Sequence, residues 1–306
     1  MKNILTIILL FALFSCEKTI PIEIDNEEPR PVVNGMFENG KPLKVELSNS
    51  VLVGNEGDIG NLENIDIELF TNDTFQEQLI YESDGNYYSS NAMEAGNNYR
   101  IEFNALNKNI SASSYLPDSV PIVRIDSIVP TTISVDQFGA IESALGITFT
   151  FDDLPGNHYY LIDIAIISDI QQTTTDRVWL FYYETDYMGL NTGIGNNAEF
   201  NVWEYLRFPD EEFNNSQKTY KFGIVYEEYD VDEWVEQNAR FELYFYALDP
   251  DLYLYLQTRT VFWNTNEDFF AESANIHTNI NGGLGIFAGA TLVKKEIDLL
   301  GAIGKE

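Results

Sequence analysis

The sequence predicts a mostly β protein: an N-terminal immunoglobulin-like β-sandwich, then a second β-rich domain with one helix near residues 250–263. Three observations point there. Apolar and polar residues alternate, as in Leu43, Val45 and Leu47 against Lys44, Glu46 and Ser48, which puts one face of a strand on a core and the other in water. Turn dipeptides such as Asn39-Gly40 and Asp84-Gly85 recur at short intervals. Only one stretch, after Asp249-Pro250, stands out for apolar residues at three- and four-residue spacing.

Residues 1–15 read as an export leader. Lys2 precedes an apolar run from Ile4 to Phe14, and Ser15 stands directly before Cys16, the chain's single cysteine. Eleven residues are about half of the ~20 that a membrane-spanning helix needs. The pattern is that of a bacterial lipoprotein, with cleavage before Cys16 and a diacylglycerol on its thiol. Each buried acyl methylene contributes ~0.8 kcal/mol, so two or three chains hold the protein at the membrane surface. Residues 16–31, rich in Glu, Asp and Pro, then read as an acidic, extended tether.

Residues 32–116 contain the first sandwich. After the strand around Val45, Ile65, Ile67 and Leu69 alternate with Asp66 and Glu68, and further strands are expected over 78–82, 87–90, 99–105 and 110–115. Roughly seven short strands without a helical period are the pattern of an immunoglobulin-like sandwich. Pro117 and Pro121 bracket a polar pair and place a linker at 117–122. The second domain, 123–306, should form strands over 123–129, 145–151, 159–167, 178–183, 219–226 and 241–248. Asp249 then supplies an N-cap and Pro250 a first helical residue, followed by Leu252, Tyr255, Leu256, Arg259, Phe262 and Trp263. A glycine-rich block, Gly282 to Ala290, leads into a last strand near Thr291 to Val293.

Charge and composition narrow the function. The formal net charge is −32, and loss of Lys2 with the leader makes it −33. Nucleic acid is excluded as a partner, because phosphate binding needs Lys and Arg clusters. With Cys16 consumed by lipid, the mature chain has no disulfide, thiol nucleophile or zinc-thiolate site.

No catalytic residue, cofactor or metal site is expected. Gly283-x-Gly285-x-x-Ala288 satisfies a loose dinucleotide fingerprint but lacks the following helix, so these glycines read as sites of close backbone approach. His158 and His277 are the only histidines, there is no Gly-x-Ser-x-Gly elbow, and each histidine reads as a turn or surface residue. Asp152-Asp153 and the run Asp230 to Glu233 match no twelve-residue calcium loop and read as solvated turns. Trp179, Tyr183, Tyr187 and Trp203 surround a Gly/Asn-rich stretch; they form either an aromatic ligand surface or a two-sided core strand.

Several segments together resemble a known family. Pro31-Val32-Val33-Asn34-Gly35, then Asn39-Gly40-Lys41-Pro42, the Asp153-Leu154-Pro155-Gly156 turn, the Asp249-Pro250 helix start, and above all Asn279 to Phe287 with Gly282, Gly283, Gly285 and Phe287, look like the family catalogued as domain of unknown function 4249. The resemblance implies a Bacteroidota outer-membrane lipoprotein, cell-surface exposed, often encoded beside a TonB-dependent transporter. It brings no catalytic residues. The expected role is therefore a non-catalytic accessory partner of such a transporter in nutrient uptake; the alternative is an independent glycan- or peptide-binding module or adhesin. Asp118-Ser119-Val120 and Asp126-Ser127-Ile128 also resemble the O-glycan acceptor triplet of exported Bacteroidota proteins, which makes Ser119 and Ser127 candidate acceptors.

Overall fold

The computed structural model describes residues 28–51, 59–121, 123–134, 141–168, 173–177, 180–182, 202–203, 205–210, 215–266 and 275–304. In chain order the first half forms β1 (Pro31–Glu38), β2 (Pro42–Asn49), β3 (Glu68–Thr71), β4 (Thr74–Gln78), β5 (Ile80–Tyr81), β6 (Asn86–Ala92), β7 (Asn97–Ala105) and β8 (Lys108–Leu116). The second half forms β9 (Val123–Ser134), β10 (Ile141–Asp152), β11 (Tyr159–Ser168), β12 (Thr173–Arg177), β13 (Leu180–Tyr182), β14 (Val202–Trp203), β15 (Tyr205–Pro209) and β16 (Gln217–Val225). Helix α1 (Glu228–Glu236), β17 (Ala239–Leu248), α2 (Pro250–Asn266), β18 (Leu284–Ile297) and α3 (Leu299–Ile303) complete it. The protein is mostly β and sandwich-like, with α2 where the Asp-Pro start places it.

One large sheet runs through both halves, in the order β12-β11-β17-β18-β1-β2-β6-β5, with β15 beside β12 on the outer edge of β11. Two smaller sheets cover it. The four-stranded sheet β4-β3-β7-β8 closes a core of Val33, Phe37, Leu43, Val45, Leu47, Ile101 and Phe287. The five-stranded sheet β14-β13-β16-β10-β9 closes a second core, built on Phe149, Phe151, Tyr160, Phe208, Phe222 and Phe245. In β18, Phe287 belongs to the first core and Val293 and Ile297 to the second, all at odd positions. Because side chains alternate along a strand, both small sheets lie on one face of the large sheet. The even positions Ile286, Ala288 and Ala290 face the other way and pack with Leu252 and Tyr253 of α2.

The strand β18 is longer than the sequence suggests, because its first half has no alternation to read. There it pairs in parallel with β1, from Val32 opposite Leu284 to Glu38 opposite Ala290, and both faces are covered. Its second half pairs antiparallel with β17. Residues 117–121 carry no strand and lie between β8 and β9, while β18 joins the units on either side of them.

Two local expectations are corrected. Residues 65–67 are not a strand: β3 begins at Glu68, and Ile67 is buried while its carbonyl accepts the Leu79 N–H at 2.9 Å. The acidic run around Asp230 is not a turn but helix α1. Glu227 and Asp230 form a reciprocal capping box, and Val231 and Trp234, three apart, are buried against the second core. The Trp234 ring meets Phe241 edge-on with centroids 5.0 Å apart, so it is part of the core.

Candidate functional site

The glycine block builds the seam between chain start and chain end. Asn279 clamps both backbone groups of Phe287, its Nδ2 donating to the carbonyl at 2.7 Å and its Oδ1 accepting the N–H at 3.0 Å. The Asn281 N–H donates to the Ser111 carbonyl at 2.8 Å, and Arg30 donates to the Gly283 carbonyl at 3.0 Å. Gly285 adopts φ +99°, and a Cβ there would lie 2.0 Å from the Val33 carbonyl oxygen, so no other residue fits this parallel pairing. Gly282, Gly283, Gly285 and Phe287 are thus a structural latch, and the dinucleotide reading is excluded because residues 284–297 are a strand.

Asp249 ties the same seam to α2. Its carboxylate caps the helix through the Asp251 N–H at 2.7 Å and accepts the Tyr115 N–H at 2.9 Å and the Ser114 hydroxyl at 3.1 Å. Ser114 in turn accepts the Gly289 N–H at 2.9 Å, and the Asp249 N–H reaches the Gly289 carbonyl at 3.0 Å. Burial pushes the Asp249 carboxyl up to about 6 despite these donors.

Beside α2 lies an apolar hollow of about 300 Å³ on the large sheet. Met36 of β1, Leu161 of β11, Tyr246 of β17, Ala290 of β18 and Leu252 and Leu256 of α2 line it, with Glu38 and Asp163 adding carboxylates. Met36 is 47% exposed there. A larger depression of about 620 Å³ is lined by Asp66, Glu68 and Glu102 and is polar; Asp66 there accepts from Gln78 and Glu102 pairs with Arg100. The hollow beside α2 is the more apolar of the two, and apolar anchors at the centre of a patch are what give contact affinity.

A third place concentrates chemistry. The antiparallel pairing of β11 with β15 sets Tyr159 opposite Pro209, so the residues just outside it, His158 and Asp210, face each other. The Asp210 N–H donates to the His158 carbonyl at 3.1 Å, and the His158 N–H donates to Asp210 Oδ2 at 2.8 Å. Asp153, one residue past β10, completes the group. Its carboxylate accepts the Tyr160 hydroxyl and, at 2.6 Å, the Asn215 N–H. One ligand atom from each of Asp153, His158 and Asp210 lies within 4.8 Å of the others. Both carboxylates are buried, Asp210 to 1% exposure, and burial, then the nearby Asp153 charge, raise the Asp210 carboxyl above its usual range. Burial and the bond to Asp153 likewise raise the Tyr160 hydroxyl. The sequence reading of His158 as a turn or surface residue and of Asp153 as part of a solvated turn is therefore corrected. Asp210 gave no sequence signal, because a strand pairing across 52 residues brings it to His158.

His277 also differs from a free surface residue: Nε2 lies 2.7 Å from Asp251 Oδ1, and its N–H donates to Thr258 Oγ1, pinning it to α2. Ser119 and Ser127 are both exposed, Ser119 before Val120 and Ser127 on β9 beside a bulge. The Asp126 carboxyl next to it sits below its usual range, held by the Thr150 hydroxyl and then by Arg124. Cys16, Trp179, Tyr183 and Tyr187 lie outside the described residues; of Trp203 the backbone is described, paired with Leu180. Among the described residues no helix is long and apolar enough to cross a membrane.

No curated protein matches the sequence. Among solved structures, a crystal structure titled as a membrane anchored protein from Corynebacterium diphtheriae aligns with 86% of this chain and 58% of its own, at 8% identity and a TM-score of 0.22. The family comparison reaches further, across β1 to β17 and nearly to the end of β18: over residues 17–296 the chain matches, and belongs to, the family described as Domain of unknown function (DUF4249).

Proposed function

We propose that this chain is a lipid-anchored, non-catalytic protein of the outer membrane that serves as accessory partner of a TonB-dependent transporter in nutrient uptake. In this reading it docks through the apolar hollow between α2 and β1. The observation that supports it most is where that hollow lies along the chain. β1 begins at Pro31, fifteen residues after Cys16, so the tether reaches at most ~50 Å. Met36 is five residues further along the strand, ~17 Å on. A lipid on Cys16 would keep the hollow near the membrane surface, where a short leash raises effective concentration and a weak contact suffices. An apolar centre with Glu38 and Asp163 among its lining residues, on a chain of charge −32, fits a partner patch with an apolar anchor and a basic rim.

The test is affinity purification of the tagged, lipidated protein from gently solubilised outer membranes of its native host, with quantitative mass spectrometry. A TonB-dependent channel should be recovered near stoichiometry, and Met36→Glu with Leu256→Glu should release it while leaving the protein in the membrane fraction. Recovery of the protein alone, under conditions that preserve transporter complexes, would overturn the reading in favour of a free-standing glycan- or peptide-binding module.

A further inference from the structure

Two buried carboxylates beside one imidazole are costly to keep together unless something positive lies between them, because a desolvated anion must be paired or neutralised. Around Asp153, His158 and Asp210 the hydrogen bonds leave that role open. Asp210 Oδ1 and His158 Nδ1 are buried and have no hydrogen-bond partner among the described residues. Nδ1 lies 3.5 Å from Asp210 Oδ2, longer than a hydrogen bond to that oxygen. Buried polar atoms are almost always satisfied in native proteins, so two orphans in one cluster point to an absent third party.

We infer that Asp153, His158 and Asp210 bind one first-row divalent transition-metal ion, of the Zn²⁺ or Mn²⁺ kind. The donor set is one imidazole nitrogen and two carboxylate oxygens. A nitrogen ligand turns the site away from Ca²⁺ and Mg²⁺, which take oxygen, and the absence of thiolate turns it from Cu(I). Two carboxylates balance the double charge. A tetrahedral ion with bonds near ~2.1 Å sets its ligands ~3.4 Å apart, so atoms within 4.8 Å of one another need only modest side-chain rotation to close on it.

The surrounding groups have the form of an outer ligand layer. The Tyr160 hydroxyl and the Asn215 N–H hold the Asp153 carboxylate, and the His158 N–H holds Asp210 Oδ2. Gly156, at φ +122°, leaves the imidazole its space; a Cβ there would come 3.2 Å from His158 Cε1. The His158 side chain is 15% exposed, so the imidazole borders solvent while its Nδ1 faces the buried carboxylates. The ion would tie the end of β10 to the β11–β15 pair at one end of the second sandwich. This site does not depend on the transporter reading.

The full-length protein, purified in detergent and stripped with EDTA, is titrated calorimetrically with ZnCl₂, MnCl₂ and CaCl₂ in turn. One equivalent of Zn²⁺ or Mn²⁺ should bind with a dissociation constant below ~10 µM, as a three-ligand buried site allows. His158→Ala and Asp210→Asn should each weaken it at least ~10-fold, whereas Asp66→Asn, in the acidic depression, should leave it unchanged. Loading with Co²⁺ should give visible ligand-field bands that change in His158→Ala, a variant that alters only a partly exposed side chain and so keeps the test open should Asp210→Asn fail to fold. Absence of saturable Zn²⁺ and Mn²⁺ binding, saturation by Ca²⁺ alone, or one equivalent bound equally well by His158→Ala would each overturn the proposal.

Discussion

The carboxylate of Asp249, the residue that opens α2, accepts the backbone N–H of Tyr115 in β8 at 2.9 Å. One side chain thereby caps a helix of the second unit and satisfies a strand of the first. Its raised pKa, about 6 against an ordinary 3.8, makes this joint sensitive to pH. The folded chain binds the extra proton between about pH 4 and pH 6, so this group's contribution is full below pH 4 and is lost as pH rises through 6. The loss is about 3 kcal/mol by linkage. Urea unfolding at pH 4 and pH 7.5 should show the wild type losing this amount relative to Asp249→Asn, whose side chain does not titrate. Asp249→Ala should be less stable than either at both pH values, by ~2 kcal/mol or more, since it leaves buried donors unpaired.

Gly285 and Gly40 share a positive φ but not a neighbourhood. At Gly40, with φ +75°, an added Cβ would meet nothing within 4 Å; at Gly285 it would strike the Val33 carbonyl. Gly40→Ala should therefore cost only the ~1–2 kcal/mol of a left-handed conformation. Gly285→Ala should cost clearly more, and equilibrium denaturation of the two variants side by side measures the difference. Equal losses would mean that the β1–β18 pairing yields readily.

Trp234 and Val235 are sequence neighbours on α1 with opposite environments, one buried and the other 42% exposed. Trp234→Ala should destabilise by ~3–5 kcal/mol through the cavity left against Phe241. Val235→Ala should stay within about 0.5 kcal/mol. Thermal unfolding followed by circular dichroism separates them.

These pairs also explain what could be read from residues alone. Strands with one wet face announce themselves: Leu43, Val45 and Leu47 point inward from β2 as their alternation predicts, and so do the buried positions of β7 and β8. Helix α2 was legible because Asp249-Pro250 fixes its start. Helix α1 was not, since a nine-residue helix with Val231 and Trp234 as its buried anchors inside an acidic run carries almost no periodic signal. The first half of β18 was hidden for the opposite reason, being covered on both faces. The Asp153, His158 and Asp210 cluster lay beyond reach because strand register, not spacing, assembles it.

Ser119 and Ser127 are exposed, so a glycan-transferring enzyme could reach both. Material from the native host should yield peptides covering these serines with the added mass of a glycan, lost in Ser119→Ala and Ser127→Ala respectively. A single unmodified mass for both peptides would dismiss the acceptor reading.

The pairing of Val32 with Leu284 spans about 250 residues of chain. Strands so far apart in sequence meet late, because loop closure must precede any stabilising contact. During synthesis the first strand therefore emerges long before its partner, and one edge of it stays open while more than two hundred residues follow. That edge is an aggregation hazard until β18 arrives. A chain that stops short of residue 284 lacks the strand that both sandwiches share.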